Sequence, residues 1–150
     1  MAEESRVIVD TYAIIADLTG QAPESAAKTL DSIRLGKVEG ILHYLIVYEL
    51  AYHWRLGRLP FQSEEELREF VDTYFIVQPL NLAMAVEASR LKKLGDELLR
   101  SSKDPGLNRR RLSVSDATSV VLAQTLKAPI VTGDTDLSYV AQKIGVKVIW

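Results

Sequence analysis

The chain has 150 residues, 47% apolar and 25% charged, the proportions of a single folded domain and not of a disordered, collagen-like or coiled-coil chain. Twenty acids against 18 bases leave a formal charge of −2, which excludes coating nucleic acid by bulk charge but leaves room for a local site that handles phosphate through metal ions. With no cysteine there is no disulfide, cysteine nucleophile or cysteine-ligated zinc, and no apolar run approaches the roughly 18–20 residues that span a bilayer.

The opening residues, Met1 to Arg6, are polar and acidic, so no secretory signal is expected and a cytoplasmic protein is the expectation. Arg6 to Asp10 is a short apolar run closed by an acid and reads as a buried strand. Ala26, Ala27, Leu30 and Ile33 recur at helical spacing, with Gly36 as the stop. Ile41 to Ile46 reads as a second strand and Val47 to Leu56 as a helix ending near Gly57 and Pro60. Ser63 to Glu66 has the form of a capping box, opening a helix whose apolar stripe is Leu67, Phe70, Val71 and Tyr74.

Phe75 to Gln78, before Pro79, is a third strand, and Leu82 to Leu94 marks a longer helix. Ser101 to Arg111 lacks apolar periodicity, holds a Pro-Gly turn and reads as a long loop. Ser113 to Lys127 reads as a helix apolar on most sides, hence deeply packed. Pro129 to Thr132 is a strand, Asp136 to Ile144 a helix with Gly145 after it, and Val146 to Trp150 a final strand. Strands alternating with helices predict one α/β domain over 1–150, a mostly parallel sheet of about five strands covered on both faces.

In such sheets ligands sit beyond the carboxyl ends of the strands, at the point where strand order reverses. Asp10 and Asp134 fall at strand ends, and Asp136 follows two residues on. Glu49 and Asp116 lie in early turns of apolar helices. A carboxylate on an apolar segment is costly to bury unless paired or metal-bound, and no base near Glu49 or Asp116 on its own helix offers an easy partner.

VIVDTYAII, VYEL, LSVSDATSVVLAQ and IVTGDTDL, in that order, resemble the PIN domain, and within it the VapC toxins of VapBC toxin–antitoxin pairs. The resemblance covers essentially the whole chain and implies a three-layer α/β/α sandwich. It also implies an acidic pocket for Mg²⁺ or Mn²⁺, hydrolysis of RNA phosphodiesters, a homodimer and a cognate VapB-type antitoxin. It matches Asp10, Glu49, Asp116 and Asp134 to the four family acids and Asp136 to an additional one. The Ser101 to Arg111 loop looks longer than the family's, so access to the pocket is expected to differ. The chain closes on its final strand at Trp150, so no C-terminal extension is expected to meet a partner.

Hard divalent cations take oxygen ligands, and Mg²⁺ keeps several waters with one or two direct carboxylates. Four or five converging acids suit one such ion, or two about 3.5–4 Å apart, and a bound ion makes hydroxide available near neutral pH and offsets phosphate charge. In the family's terms Asp10 is the central ligand, Asp116 and Asp134 complete the shell, and Glu49 binds a second ion or orients water. Asp136 acts from farther out. Thr11 and Thr132 are placed to bond these carboxylates or a phosphate oxygen, and Arg109, Arg110 and Arg111 to grip RNA phosphates.

Structural readings stand beside each of these. Asp116 sits three residues after Ser113, where an acid offsets a helix dipole; Asp136 suits an N-cap, Asp134 a turn, and Glu49 a solvated position. His43 and His53 have neither a third histidine nor an H-E-x-x-H frame, which argues against zinc. Tyr44, Tyr48 and Tyr52, at four-residue spacing, read as core or dimer packing before base stacking. The rivals are a PIN-like RNA- or protein-binding module without activity, an α/β phosphatase using strand-end aspartates, and a receiver-type domain. The phosphatase wants paired aspartates after the first strand, where Asp10-Thr11-Tyr12 supplies one.

Overall fold

The computed structural model describes residues 5–150, so the expectation on residues 1–4 lies outside it. The elements alternate as the pattern predicts: β1 (Arg6–Val9), α1 (Thr11–Leu18), α2 (Glu24–Arg34), β2 (Glu39–His43), α3 (Tyr44–Arg55), α4 (Glu64–Tyr74), β3 (Phe75–Gln78), α5 (Leu82–Arg100), α6 (Val114–Leu126), β4 (Ile130–Val131), α7 (Thr135–Lys143) and β5 (Val148–Ile149). The strands form one sheet in the order β3-β2-β1-β4-β5, with every pairing parallel.

Alternate side chains of a strand face opposite sides of a sheet, and here they feed two separate cores. Ile8, Ile41 and Ile130 pack with buried residues of α5, α6 and α7, among them Leu91, Leu122 and Val140. Val7, Val9, Leu42 and Val131 pack with α1 to α4 through Ile14, Leu30, Leu50 and Leu67. The result is the three-layer α/β/α sandwich.

The strands β4 and β5 are shorter than the pattern predicts, Ile130–Val131 and Val148–Ile149, and two junctions differ more. The second strand begins at Glu39 and ends at His43, and α3 starts at once with Tyr44. His43 is both the last strand residue and the N-cap, its Nδ1 accepting from Leu45 N at 3.2 Å. The apolar run through Ile46 therefore crosses a junction with no loop. Thr11–Leu18 also forms a helix directly after β1, burying Ala13, Ile14 and Ala16. The capping box is present: Ser63 Oγ accepts from Glu66 N, while Glu66 Oε2 accepts from Gln62 N at 2.7 Å.

Residues 101–111 contain no helix or strand, as expected, but the loop is well tied. Asp104 Oδ1 accepts from Gly106 N at 2.8 Å, and Leu107 packs against the core beneath α5 and α6. Both polar groups of the Leu112 peptide are held by α5. Asp96 Oδ1 accepts from Leu112 N at 2.7 Å, and Lys92 Nζ donates to Leu112 O at 2.7 Å and to Asp96 at 3.1 Å. Asp96→Ala leaves that buried-side N–H without its acceptor and is expected to cost about 1–2 kcal/mol. A thermal melt should show Tm falling by roughly 2–8 °C; an unchanged Tm would mean that the clamp contributes nothing to the loop.

Candidate active site

β1 and β4 lie side by side although their crossovers run to opposite edges of the sheet, so strand order reverses between them. The register sets Val9 against Val131, and Asp10 N donates to Val131 O at 3.0 Å. Asp10 thus emerges at the carboxyl end of β1 beside the segment that carries Asp134. Asp10 is the N-cap of α1, yet its side chain makes no cap bond. It turns instead to Thr132, whose hydroxyl donates to Asp10 Oδ2 at 2.8 Å and accepts from Asp134 N at 3.0 Å.

The other acids reach the same place from helices. Glu49, in the second turn of α3, accepts at Oε1 from Thr11 Oγ1 at 3.0 Å and from Ser115 Oγ at 2.7 Å. Asp116 is in the first turn of α6, whose N-cap Ser113 accepts from Asp116 N at 3.0 Å. Asp134 caps α7, with Oδ1 accepting from Leu137 N at 3.0 Å; the cap is thus Asp134 and not Asp136. Asp136 is buried one turn-position on, and Arg110 Nε donates to its Oδ2 at 2.8 Å.

All five acids line one open pocket of about 580 Å³, together with Thr11, His53, Arg110, Arg111, Tyr12 and Trp150. Arg109 is not on its wall. Thr132 is fully buried, so its hydroxyl serves Asp10 and does not reach a substrate. Ser115 was not singled out in the sequence; its hydroxyl bond to Glu49 spans 66 residues and no local pattern announces it.

The carboxylates feel one another. Burial pushes the Asp10 carboxyl up to about 6 against the opposing bond from Thr132, with Asp134 and Glu49 adding to the rise. Burial pushes Asp116 up to about 8, helped by the charges of Asp10, Asp134 and Glu49. His43, also buried, is outside the pocket; its Nε2 bonds Ser119 Oγ at 2.9 Å, and burial lowers it to about 4. With Nδ1 accepting, Nε2 carries the proton, so His43 ties α3 to α6 and is no ligand.

The donor set, carboxylate oxygen throughout, suits a hard divalent cation. Asp136 Oδ1 is buried without a hydrogen-bond partner among the described residues, an unmet acceptor on the same pocket. Among the described residues no three acids or histidines are gathered closely enough to cage a bare ion. An open, acid-lined pocket of this kind fits an ion that keeps much of its water, as Mg²⁺ does.

A family model described as PIN domain matches residues 7–143. Solved structures of similar fold include FitAcB from Neisseria gonorrhoeae (18% identity, TM-score 0.59, 95% of each chain covered). VapC20 of Mycobacterium tuberculosis, titled a sarcin-ricin loop cleaving toxin, is 16% identical at a TM-score of 0.58, covering 93% of this chain and 95% of that one. VapBC2 from Rickettsia felis, bound to a promoter DNA fragment, is 11% identical at a TM-score of 0.63, covering 95% of this chain and 96% of that one. Such identities establish likeness of fold. No curated protein matches the chain.

Proposed function

Given that the chain belongs to the PIN domain family, we propose that it is a metal-dependent endoribonuclease, the toxin of a VapBC-type toxin–antitoxin pair. The observation that carries the reading is the convergence of five acids on one pocket at the reversal point of the sheet, where burial first and neighbouring carboxylates second raise Asp10 and Asp116. A rival in which each acid merely caps a helix or faces solvent gives no reason for Asp10 to be buried without a cap bond of its own. The toxin-related folds above support the choice within the family.

Asp10, Asp116 and Asp134 would hold Mg²⁺ or Mn²⁺ directly and through its waters, with Asp136 behind them. Such an ion, when bound, supplies an acidified water and offsets negative charge at a phosphate. Glu49 is fixed from both sides at Oε1 by the Thr11 and Ser115 hydroxyls, which orients its carboxylate to accept a proton from the attacking water. Arg110 and Arg111, on the pocket wall, meet backbone phosphates. The products would carry 5′-phosphate and 3′-hydroxyl ends.

The cognate antitoxin and the homodimer belong to the same proposal. Tyr44, Tyr48 and Tyr52 are exposed on α3, so core packing is not their use, and they are the surface to which we assign the dimer. No helix among the described residues is long and apolar enough to cross a membrane.

The test is cleavage of a mixed-sequence single-stranded RNA with Mg²⁺, with Mn²⁺ and with EDTA, beside Asp10→Asn. Cleavage is expected only with metal and only in the wild type. Cleavage that persists in EDTA, or equal cleavage by the variant, would overturn the metal-dependent assignment.

A further inference from the structure

We infer that Tyr12 and Trp150 form a nucleobase-stacking subsite on the rim of the acidic pocket. The inference rests on the ribonuclease reading and adds a base-binding element to its site. The two rings meet edge to face, their centroids 5.5 Å apart and their planes at 75°. Both line the same pocket as the acids. They nevertheless remain 49% and 38% exposed, so neither ring is absorbed into the core.

The backbone makes room for this pair. A Cβ on Gly133 would stand 2.4 Å from Trp150 Cε2 and 2.7 Å from Tyr12 Cε1, so glycine lets both rings settle on the segment between β4 and α7. The same segments deliver the chemistry. Tyr12 follows Asp10 by two residues, Gly133 immediately precedes Asp134, and Trp150 directly follows β5, the neighbour of β4. The rings are therefore held in register with the carboxylates.

An acid-lined pocket repels a phosphate backbone until cations compensate it, so contacts to the bases add affinity that Arg110, Arg111 and an ion do not supply alone. Aromatic faces supply it, because every base has a π-face and stacking tolerates any sequence. In a duplex those faces are covered by neighbouring pairs and the base edges are turned inward. An unpaired nucleotide beside the scissile phosphate presents its face freely. The pocket continues past Tyr12 along one side of α1, through Ile15, Ala16 and Thr19, roughly 10 Å at 1.5 Å per residue. That length accommodates a short run of strand.

The chain has two tryptophans, so Trp54→Phe leaves Trp150 as the sole indole reporter. That protein, with Mg²⁺ present, is titrated with a cleavage-resistant 2′-O-methyl single strand, with an abasic strand of equal length and with a blunt duplex. The single strand is expected to quench Trp150 and saturate; the other two are not. Tyr12→Ala and Trp150→Leu are expected to bind a labelled single strand roughly tenfold or more weakly, and to raise KM for cleavage while keeping kcat. Thermal melts check both folds, and Tyr12→Ala carries the test if Trp150→Leu does not fold.

Absence of quenching by the single strand, equal binding of the abasic strand, or wild-type binding by Tyr12→Ala would each overturn the subsite. Quenching without any metal-dependent cleavage would keep the subsite and sink the ribonuclease reading. Cleavage without base-dependent quenching would do the reverse.

Discussion

Asp116→Asn is expected to lose RNA cleavage by roughly a thousand-fold or more, the scale of several kcal/mol of charge stabilisation supplied at a phosphate. The substitution keeps the helix start intact, because Ser113 caps α6 through the backbone N–H of residue 116 and not through its side chain. What it removes is a carboxyl whose proton is held up to about pH 8 by burial and by Asp10, Asp134 and Glu49. At neutral pH a divalent cation has to displace that proton, so binding should release protons and tighten as pH rises from 6 to 8. Calorimetric titration of Mn²⁺ in buffers of different ionisation enthalpy reads the release directly. Asp116→Asn should bind Mn²⁺ more weakly and release fewer protons. Cleavage at the wild-type rate, or unchanged proton release, would remove Asp116 from the ligand set.

The metal-free protein is expected to lose stability as pH rises, the opposite of the usual carboxylate behaviour. Stability rises with pH only where the unfolded chain binds more protons than the folded one. Asp10 and Asp116 titrate near 6 and 8 when folded, against an ordinary 3.8, so between those limits the folded chain binds more. Their favourable contribution is complete below 3.8 and is lost on the way up through about 6 and about 8. His43 acts the other way: lowered from 6.5 to about 4, it adds stability as pH rises across that interval and nothing above it. Above about 6.5, then, Asp116 dominates. Thermal melts in EDTA should show Tm lower at pH 8.5 than at pH 6.5 in the wild type. Asp116→Asn should flatten that slope and raise the pH 8.5 Tm by roughly 4–8 °C, on the order of 2 kcal/mol. Parallel pH profiles for the two proteins would contradict the coupling.

Much of this arrangement is legible in the sequence because it is local. Asp10 closes an apolar strand, Asp134 follows one, and Ser113 stands three residues before Asp116; each is a short-range pattern. The strand ending at His43 was not, because the histidine caps α3 with its own ring and the apolar run passes from period two to period 3.6 without punctuation. Nor was α1, which follows β1 directly after Asp10, with no side-chain cap and no turn residue to mark its start. The contacts that organise the pocket are longer in range. Ser115 on Glu49, Arg110 on Asp136 and Tyr12 on Trp150 join distant parts of the chain, and no spacing rule connects them. The expected capping role also moved, from Asp136 to Asp134, because α7 begins one residue earlier than its apolar pattern suggests.

The strand order β3-β2-β1-β4-β5 divides the site between the two ends of the chain. Asp10 and Thr132, joined by a hydrogen bond, are 122 residues apart, and β1 gains its second neighbour only when β4 arrives. Closing so long a loop is slow and comes late. A nascent chain extended through α6 already carries Asp10, Glu49 and Asp116, yet it has neither Asp134 nor the strand that would align Asp10. Under the ribonuclease reading proposed above, topology would thus shelter the ribosome: while most of the chain is being synthesised, the molecule has no assembled pocket with which to cut the message it is translated from.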